Sequence, residues 1–126
     1  MKKAIQIPGA PAPLGPYSQA IYVNGTLYVS GQIPLNPQTG ELVNSSIQDA
    51  THQVMQNIMA LVNEAGLDAD QIVKCSIFLK SMDNFQAVNE IYGQYFRSTP
   101  PARETVQVAK LPLDVDVEIS CIAVAN

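Results

Sequence analysis

The chain has 126 residues, 47% of them hydrophobic and 14% charged, enough for one domain to bury a core without disulfides or metal. Seven Lys and Arg against eleven Asp and Glu give a formal charge of −4, with no basic stripe of the kind a nucleic acid or an anionic membrane requires. No run approaches the roughly 18 apolar residues of a membrane span, and "MKKAIQIPGAPAP" has no apolar segment ahead of its prolines, so neither a membrane helix nor a signal peptide is expected.

The proline-rich start is expected to run extended over the surface. "YSQAIYV" and "TLYVSGQIP" then flank Asn24-Gly25, the strongest short hairpin signal, because a type I′ turn needs positive φ at both positions. "LNPQTGELV" reads as a loop that turns at Thr39-Gly40. "SSIQDATHQVMQNIMALVNEAG" predicts the first helix: Ser46 and Asp49 resemble a capping box, and Gly66 is a natural stop. Ile47, Ala50, Val54, Ile58, Leu61 and Ala65 recur at helical spacing, with His52 on the polar side as a surface residue. "QIVKCSIFLK" predicts a strand with Val73, Cys75, Ile77 and Leu79 on one face, while Lys74 and Lys80 suit a partly open opposite face. Asp83 opens a second helix with Phe85, Val88, Tyr92, Tyr95 and Phe96 along its buried side, ending before Pro100-Pro101. "ETVQVAKL" and "VDVEISCIAVA" are the last strands.

Hairpin, helix, strand, helix and two strands make an α+β sandwich, a mixed sheet with two helices packed on one face, in a single domain over 1–126. The short connection containing Pro112 suggests a hairpin between the last two strands. The continuous apolar run Cys121 to Ala125 argues instead for a strand buried on both faces, in the middle of the sheet. Cys75 and Cys121 lie far apart in apolar segments, which suits reduced buried thiols in a cytosolic protein better than a disulfide. With one histidine and no CxxC or HExxH, the chain has little material for a His-based metal site or a Ser-His-Asp triad.

A few residues stand out chemically. Glu118 is a carboxylate inside a strand that heads into the core, where it must be paired, solvated on an outer face, or shifted in pKa. Arg103, one of only two arginines, stands at the start of a strand two residues after a proline pair. It is either an ordinary ion pair, for instance with Glu104, or a fork that grips a ligand carboxylate through two parallel hydrogen bonds. Gly31 after Ser30 lets backbone approach a ligand closely, or marks a bulge. Tyr17 follows the rigid Gly15-Pro16 and brings a hydroxyl either to a cleft or to a half-buried surface.

"APAPLGPYSQA", "YVSGQIPLNPQTGEL", "VNEIYGQYF" and "PPARETVQVAKLPLDVDVEI" resemble the RidA (YjgF-type) family of enamine/imine deaminases over nearly the whole chain. The resemblance implies a chorismate-mutase-like fold with the last strand inside the sheet, and a cytoplasmic homotrimer whose three sites lie in clefts between subunits. No metal or organic cofactor is expected. The activity it implies is hydrolysis of reactive 2-imino acids and their 2-enamine tautomers, which pyridoxal-phosphate dehydratases release from serine or threonine, to 2-oxo acids and ammonia. On this resemblance Arg103 binds the substrate carboxylate and Glu118 positions or activates water. Tyr17, Ser30, Gly31 and Asn89 line or support the pocket, and the backbone N–H of Thr105 assists Arg103. Thr105 stands where many relatives carry cysteine, Glu104 where a small residue is usual, and Ser120 where a second acid is common. A non-catalytic trimer that senses 2-oxo acids through the same pocket is the alternative expectation. Ribonuclease or translation-inhibitor activity, a label also attached to the family, fits the acidic charge less well.

Overall fold

In a computed structural model describing Met1–Asn126, the elements run β1 (Lys3–Ile5), β2 (Ala20–Val23), β3 (Thr26–Gln32), α1 (Ile47–Glu64), β4 (Ile72–Leu79), α2 (Phe85–Gly93), β5 (Ala102–Gln107) and β6 (Val117–Val124). They build one mixed sheet in the order β1-β2-β3-β6-β4-β5, with β4 and β5 parallel and every other pair antiparallel. Parallel β4 and β5 need a crossover, and α2 supplies it. The final strand therefore sits between β3 and β4 and does not pair with β5, as its apolar tail suggested and against the simple hairpin.

Local chemistry sets the element ends. Asn24 and Gly25 hold φ of 51° and 78°, the type I′ signature, and close the β2–β3 hairpin. Ser46 Oγ accepts the Asp49 N–H at 3.0 Å, capping α1, while the Asp49 carboxylate accepts the Ser45 hydroxyl at 2.9 Å instead of completing the box. At the other end Gly66, at φ 83°, and Leu67 donate back to the carbonyls of Asn63 and Val62 at 2.9 and 3.0 Å, a Schellman closure. The second helix is preceded by one tight turn, Met82–Asn84, which Ser81 caps through the Asp83 N–H at 3.1 Å. It ends at Gly93, so Tyr95 and Phe96 lie beyond it, still packed against the core.

Two expectations are corrected. The start is extended, but Lys3–Ile5 is a ladder strand, Ala4 opposite Ile21; the prolines begin at Pro8, so these residues keep the N–H groups a ladder needs. Val73 does not share a face with Cys75. Ile72 pairs with Ala123 and Lys74 with Ile122, so Val73 is an inserted bulge residue, 47% exposed, and Ile72 takes the core position.

Both helices lie on one face of the sheet. Val54, Met55, Ile58 and Leu61 of α1 join Leu27, Ile77, Val117 and Ile119 in a fully buried core. The opposite face is uncovered and partly apolar: Tyr28, Val106 and Val124 are 50%, 43% and 39% exposed. Residues of β6 thus divide, Cys121 and Ala123 buried beneath the helices, Ile122 half-buried and Val124 exposed on the open face. No helix is long and apolar enough to cross a membrane.

Candidate functional site

The corner that holds Glu118 is built by a second bulge. Val29 pairs with Cys121 and Gln32 with Ile119, so β3 runs one residue longer than β6 at Ser30-Gly31. That brings the Gly31 backbone against the Glu118 side chain: a Cβ at Gly31 would lie 2.5 Å from Glu118 Oε2 and 2.7 Å from Cδ. Any side chain here would push the Glu118 carboxylate aside. Ser30 is locked by its own bonds, its hydroxyl donating to the Ser18 carbonyl at 2.7 Å and its N–H to the Gln19 carbonyl at 2.9 Å. Burial alone pushes the Glu118 carboxyl above its ordinary pKa.

Glu118, Gly31, Ser30 and Tyr17 line one cleft of about 860 Å³, roofed by the 10–14 segment and bounded by Pro112 and Leu113. Its floor includes Ile33 and Leu35, whose carbonyls accept the amide of Asn57 at 3.2 and 2.9 Å. Asn57 is 4% exposed and lies on α1, where a search for apolar periodicity passes over it. Its spacing from Gln53, which donates to it at 2.9 Å, is the one sequence signal available.

Arg103 belongs to a different group. Its guanidinium lies 5.3 Å from the Tyr92 ring centroid and 5.7 Å from that of Phe85, and Nη1 donates to Asn89 Oδ1 at 2.5 Å. All three partners are on α2, at positions 85, 89 and 92, one helical face. Sequence reasoning reads Phe85 and Tyr92 as core; they also fix the arginine. Arg103 has no carboxylate partner. Glu104 turns to the other face, where it accepts the Ser76 hydroxyl and meets Lys74 Nζ at 2.9 Å. Those two donors hold the Glu104 carboxyl below its ordinary pKa. Of the two accounts of Arg103, the local ion pair is thereby removed. Thr105, two residues on, faces the same side, with its hydroxyl buried and unpartnered.

The two groups do not meet within a chain. Cys75 stands opposite Arg103 on one side and Cys121 on the other, and all three face the helices. Glu118 is three residues from Cys121 and stands opposite Phe78, on the open face. Two strand spacings and three residues put the Arg103 and Glu118 backbones about 14 Å apart, their side chains pointing away from each other. Tyr17, Ser30, Gly31 and Glu118 are brought together, as are Asn89, Arg103 and Thr105. The sheet separates the two sets.

The cysteines, distant in sequence, are cross-strand neighbours; both are free and buried, and burial pushes both thiols above their ordinary pKa. His52 is less isolated than a surface residue, since Nδ1 and the Tyr95 hydroxyl lie 2.9 Å apart. No three His, Cys, Asp or Glu side chains converge as metal ligands would.

Residues 8–125 match the protein family described as Endoribonuclease L-PSP. A RutC family protein of Pyrococcus horikoshii is 46% identical over 98% of each chain. Reactive Intermediate Deaminase A, chloroplastic, of Arabidopsis thaliana is 45% identical over 97% of this chain and 65% of its own. Among solved structures, Escherichia coli TdcF with bound serine superposes with a TM-score of 0.93 at 40% identity, covering 98% of this chain and 99% of that one.

Proposed function

The chain belongs to the family described as Endoribonuclease L-PSP, as its resemblance to RidA proteins implied, and on that premise we propose that it hydrolyses 2-imino acids and their 2-enamine tautomers to 2-oxo acids and ammonia. The observation that carries this reading is Arg103, a guanidinium held on three sides by neutral groups yet paired with no carboxylate of its own chain. Such a fork suits a ligand carboxylate bound through two parallel hydrogen bonds.

In the proposed reaction Arg103 takes the carboxylate of the protonated imine and presents C2 to a water at Glu118. Glu118 accepts a proton as the water oxygen bonds to C2, and the C=N π pair moves to nitrogen. Collapse of the resulting carbinolamine breaks the C–N bond, and the imine plus one water yields the 2-oxo acid plus ammonium. The protonated imine is already electrophilic, so orientation and a base contribution of about 10²–10⁴-fold suffice. The raised pKa of Glu118 suits a base that must give its proton back. No small imino acid spans the sheet from Arg103 to Glu118, so each site takes Arg103 from one copy and Glu118 from another. The uncovered apolar sheet face supports the same assembly, a homotrimer with sites between subunits. Buried reduced thiols suit the cytoplasm, and pyridoxal-phosphate dehydratases that act on serine or threonine supply the substrate class.

The experiment adds the protein to a serine or threonine dehydratase reaction and follows 2-oxo acid release after the imine forms. Acceleration by wild type and its loss in Arg103→Ala are expected; no acceleration, or full acceleration by the variant, refutes the reading. The serine bound to TdcF favours a second reading, a trimer that senses small amino-acid-like ligands, which tight 2-oxo acid binding without turnover would select. RNA cleavage, named in the family's description, fits a chain of net charge −4 poorly.

A further inference from the structure

At the boundary of the Glu118 cleft an apolar side chain stands on backbone it does not favour. Leu113 and Asp114 have φ of 54° and 56°, the left-handed region that costs any residue with a Cβ. The loop is tied down on both sides. Leu111 and Val115 are buried, the Asp114 N–H donates to the Leu111 carbonyl at 3.1 Å, and the Val115 N–H donates to Pro112 at 3.2 Å. Lys80 Nζ adds a contact of 3.1 Å to the Asp114 carboxylate. The fold thus needs a left-handed residue at position 113, which glycine or asparagine provides with least strain. Leucine gains little within the chain for its unfavourable backbone, because its side chain is 69% exposed. Strain of this kind clusters at active sites and ligand clamps.

A second exposed leucine lines the same cleft. Leu14 is 98% exposed and follows Pro11 and Pro13, whose rings restrict the approach of the chain. With Ile33 and Leu35 below, the cleft offers a far larger apolar lining than the methyl group of an alanine-type imine can use. We infer that this cleft selects 2-imino acids with a branched or long apolar side chain, and that Leu113 and Leu14 are the residues that grip it. The inference rests on the deaminase reading of the site and extends its substrates beyond the short imines that serine and threonine dehydratases release.

The test uses the full chain and an amino-acid oxidase, with catalase present, to generate imino acids from leucine and from alanine; semicarbazide captures the imine that remains. The wild-type kcat/KM for the leucine-derived imine is expected to exceed that for the alanine-derived one by about tenfold or more, the scale on which apolar pockets discriminate. Leu113→Asn, which suits the left-handed backbone, and Leu14→Ser are each expected to lower that ratio by about tenfold. A wild-type ratio at or below one, or a ratio that neither variant moves, overturns the inference while leaving the deaminase reading intact. A change of assembled mass in both variants also overturns it, because the leucines then seal contacts between copies. If neither imine is hydrolysed, the deaminase reading fails. Calorimetry with 4-methyl-2-oxopentanoate and pyruvate then decides selectivity alone, with tighter binding of the branched acid expected and equal binding overturning it.

Discussion

The most direct test of how the site is built is Gly31→Ala. The φ of Gly31 lies outside the left-handed region, so the backbone admits alanine and the cost is one of space. The added methyl would lie 2.5 Å from Glu118 Oε2, 2.7 Å from Cδ and 3.0 Å from Cγ. Comfortable contacts between carbon atoms are about 3.5–4.0 Å, so one group must retreat by about 1 Å. Gly31 is held through its chain neighbours, Ser30 bonded to Ser18 and Gln19 and Gln32 paired with Ile119, whereas Glu118 ends in a partly exposed side chain, so the carboxylate moves and stability falls by only about 1 kcal/mol. A shift of about 1 Å in a catalytic group costs about 10²-fold in rate. Imine hydrolysis by Gly31→Ala should therefore drop about 10²-fold in kcat/KM with the melting temperature nearly kept. In a Glu118→Ala background, where the methyl has room, the same substitution should add little further loss. Wild-type activity in Gly31→Ala, or losses that multiply fully in the double variant, would refute the claim that this glycine exists to seat Glu118.

Arg103→Lys keeps the charge and removes the fork, so KM for the imino acid should rise about 10–100-fold in steady-state kinetics, the value of one charge-assisted hydrogen bond; an unchanged KM would deny the carboxylate role. Glu118 has a folded pKa raised by burial, so its ionisation opposes folding: the penalty is absent below the unfolded pKa and grows as pH rises through the folded one. Glu118→Gln should then melt higher than wild type at neutral pH, with the difference vanishing in acid, while the rising limb of the pH–rate profile disappears. Asn57→Ala leaves the Leu35 carbonyl without its partner, while the Ile33 carbonyl keeps the Leu35 N–H at 2.7 Å, and should lower unfolding stability by about 1–3 kcal/mol in urea titration; a loss under ~0.5 kcal/mol would mean that water replaces the amide.

What the sequence reveals follows the range of the interaction. The β2–β3 turn and both ends of α1 are legible because Asn24-Gly25, Ser46 and Gly66 act on their own neighbours. β1 is hidden because three residues are too few to show alternation, and only pairing with β2 makes them a strand. Val73 misleads because one inserted residue reverses the parity that assigns faces. Arg103 is the instructive case. In sequence Glu104 is its nearest possible partner, and nothing local decides whether they pair. Register decides, by setting Arg103 opposite Cys75 beneath α2 and Glu104 opposite Ser76 on the other face.

The same parity separates Arg103 from Glu118, and this yields a test of the shared site that needs no structure of the assembly. If each site takes Arg103 from one copy and Glu118 from the next, Arg103→Ala and Glu118→Ala proteins are both inactive alone. Each still carries the half that the other lacks. When equal amounts are unfolded together and refolded, a given site in a cyclic trimer receives both intact residues in about one quarter of cases. Activity should therefore recover to about a quarter of wild type, whereas a double variant mixed with wild type makes no new intact pair. Recovery requires exchange of subunits, so a mixture of pre-assembled proteins should stay inactive until it is unfolded. No recovery after verified mixing would place both residues of each site in one copy, which the sheet between them forbids, and the assignment of Glu118 as the partner of Arg103 would fall.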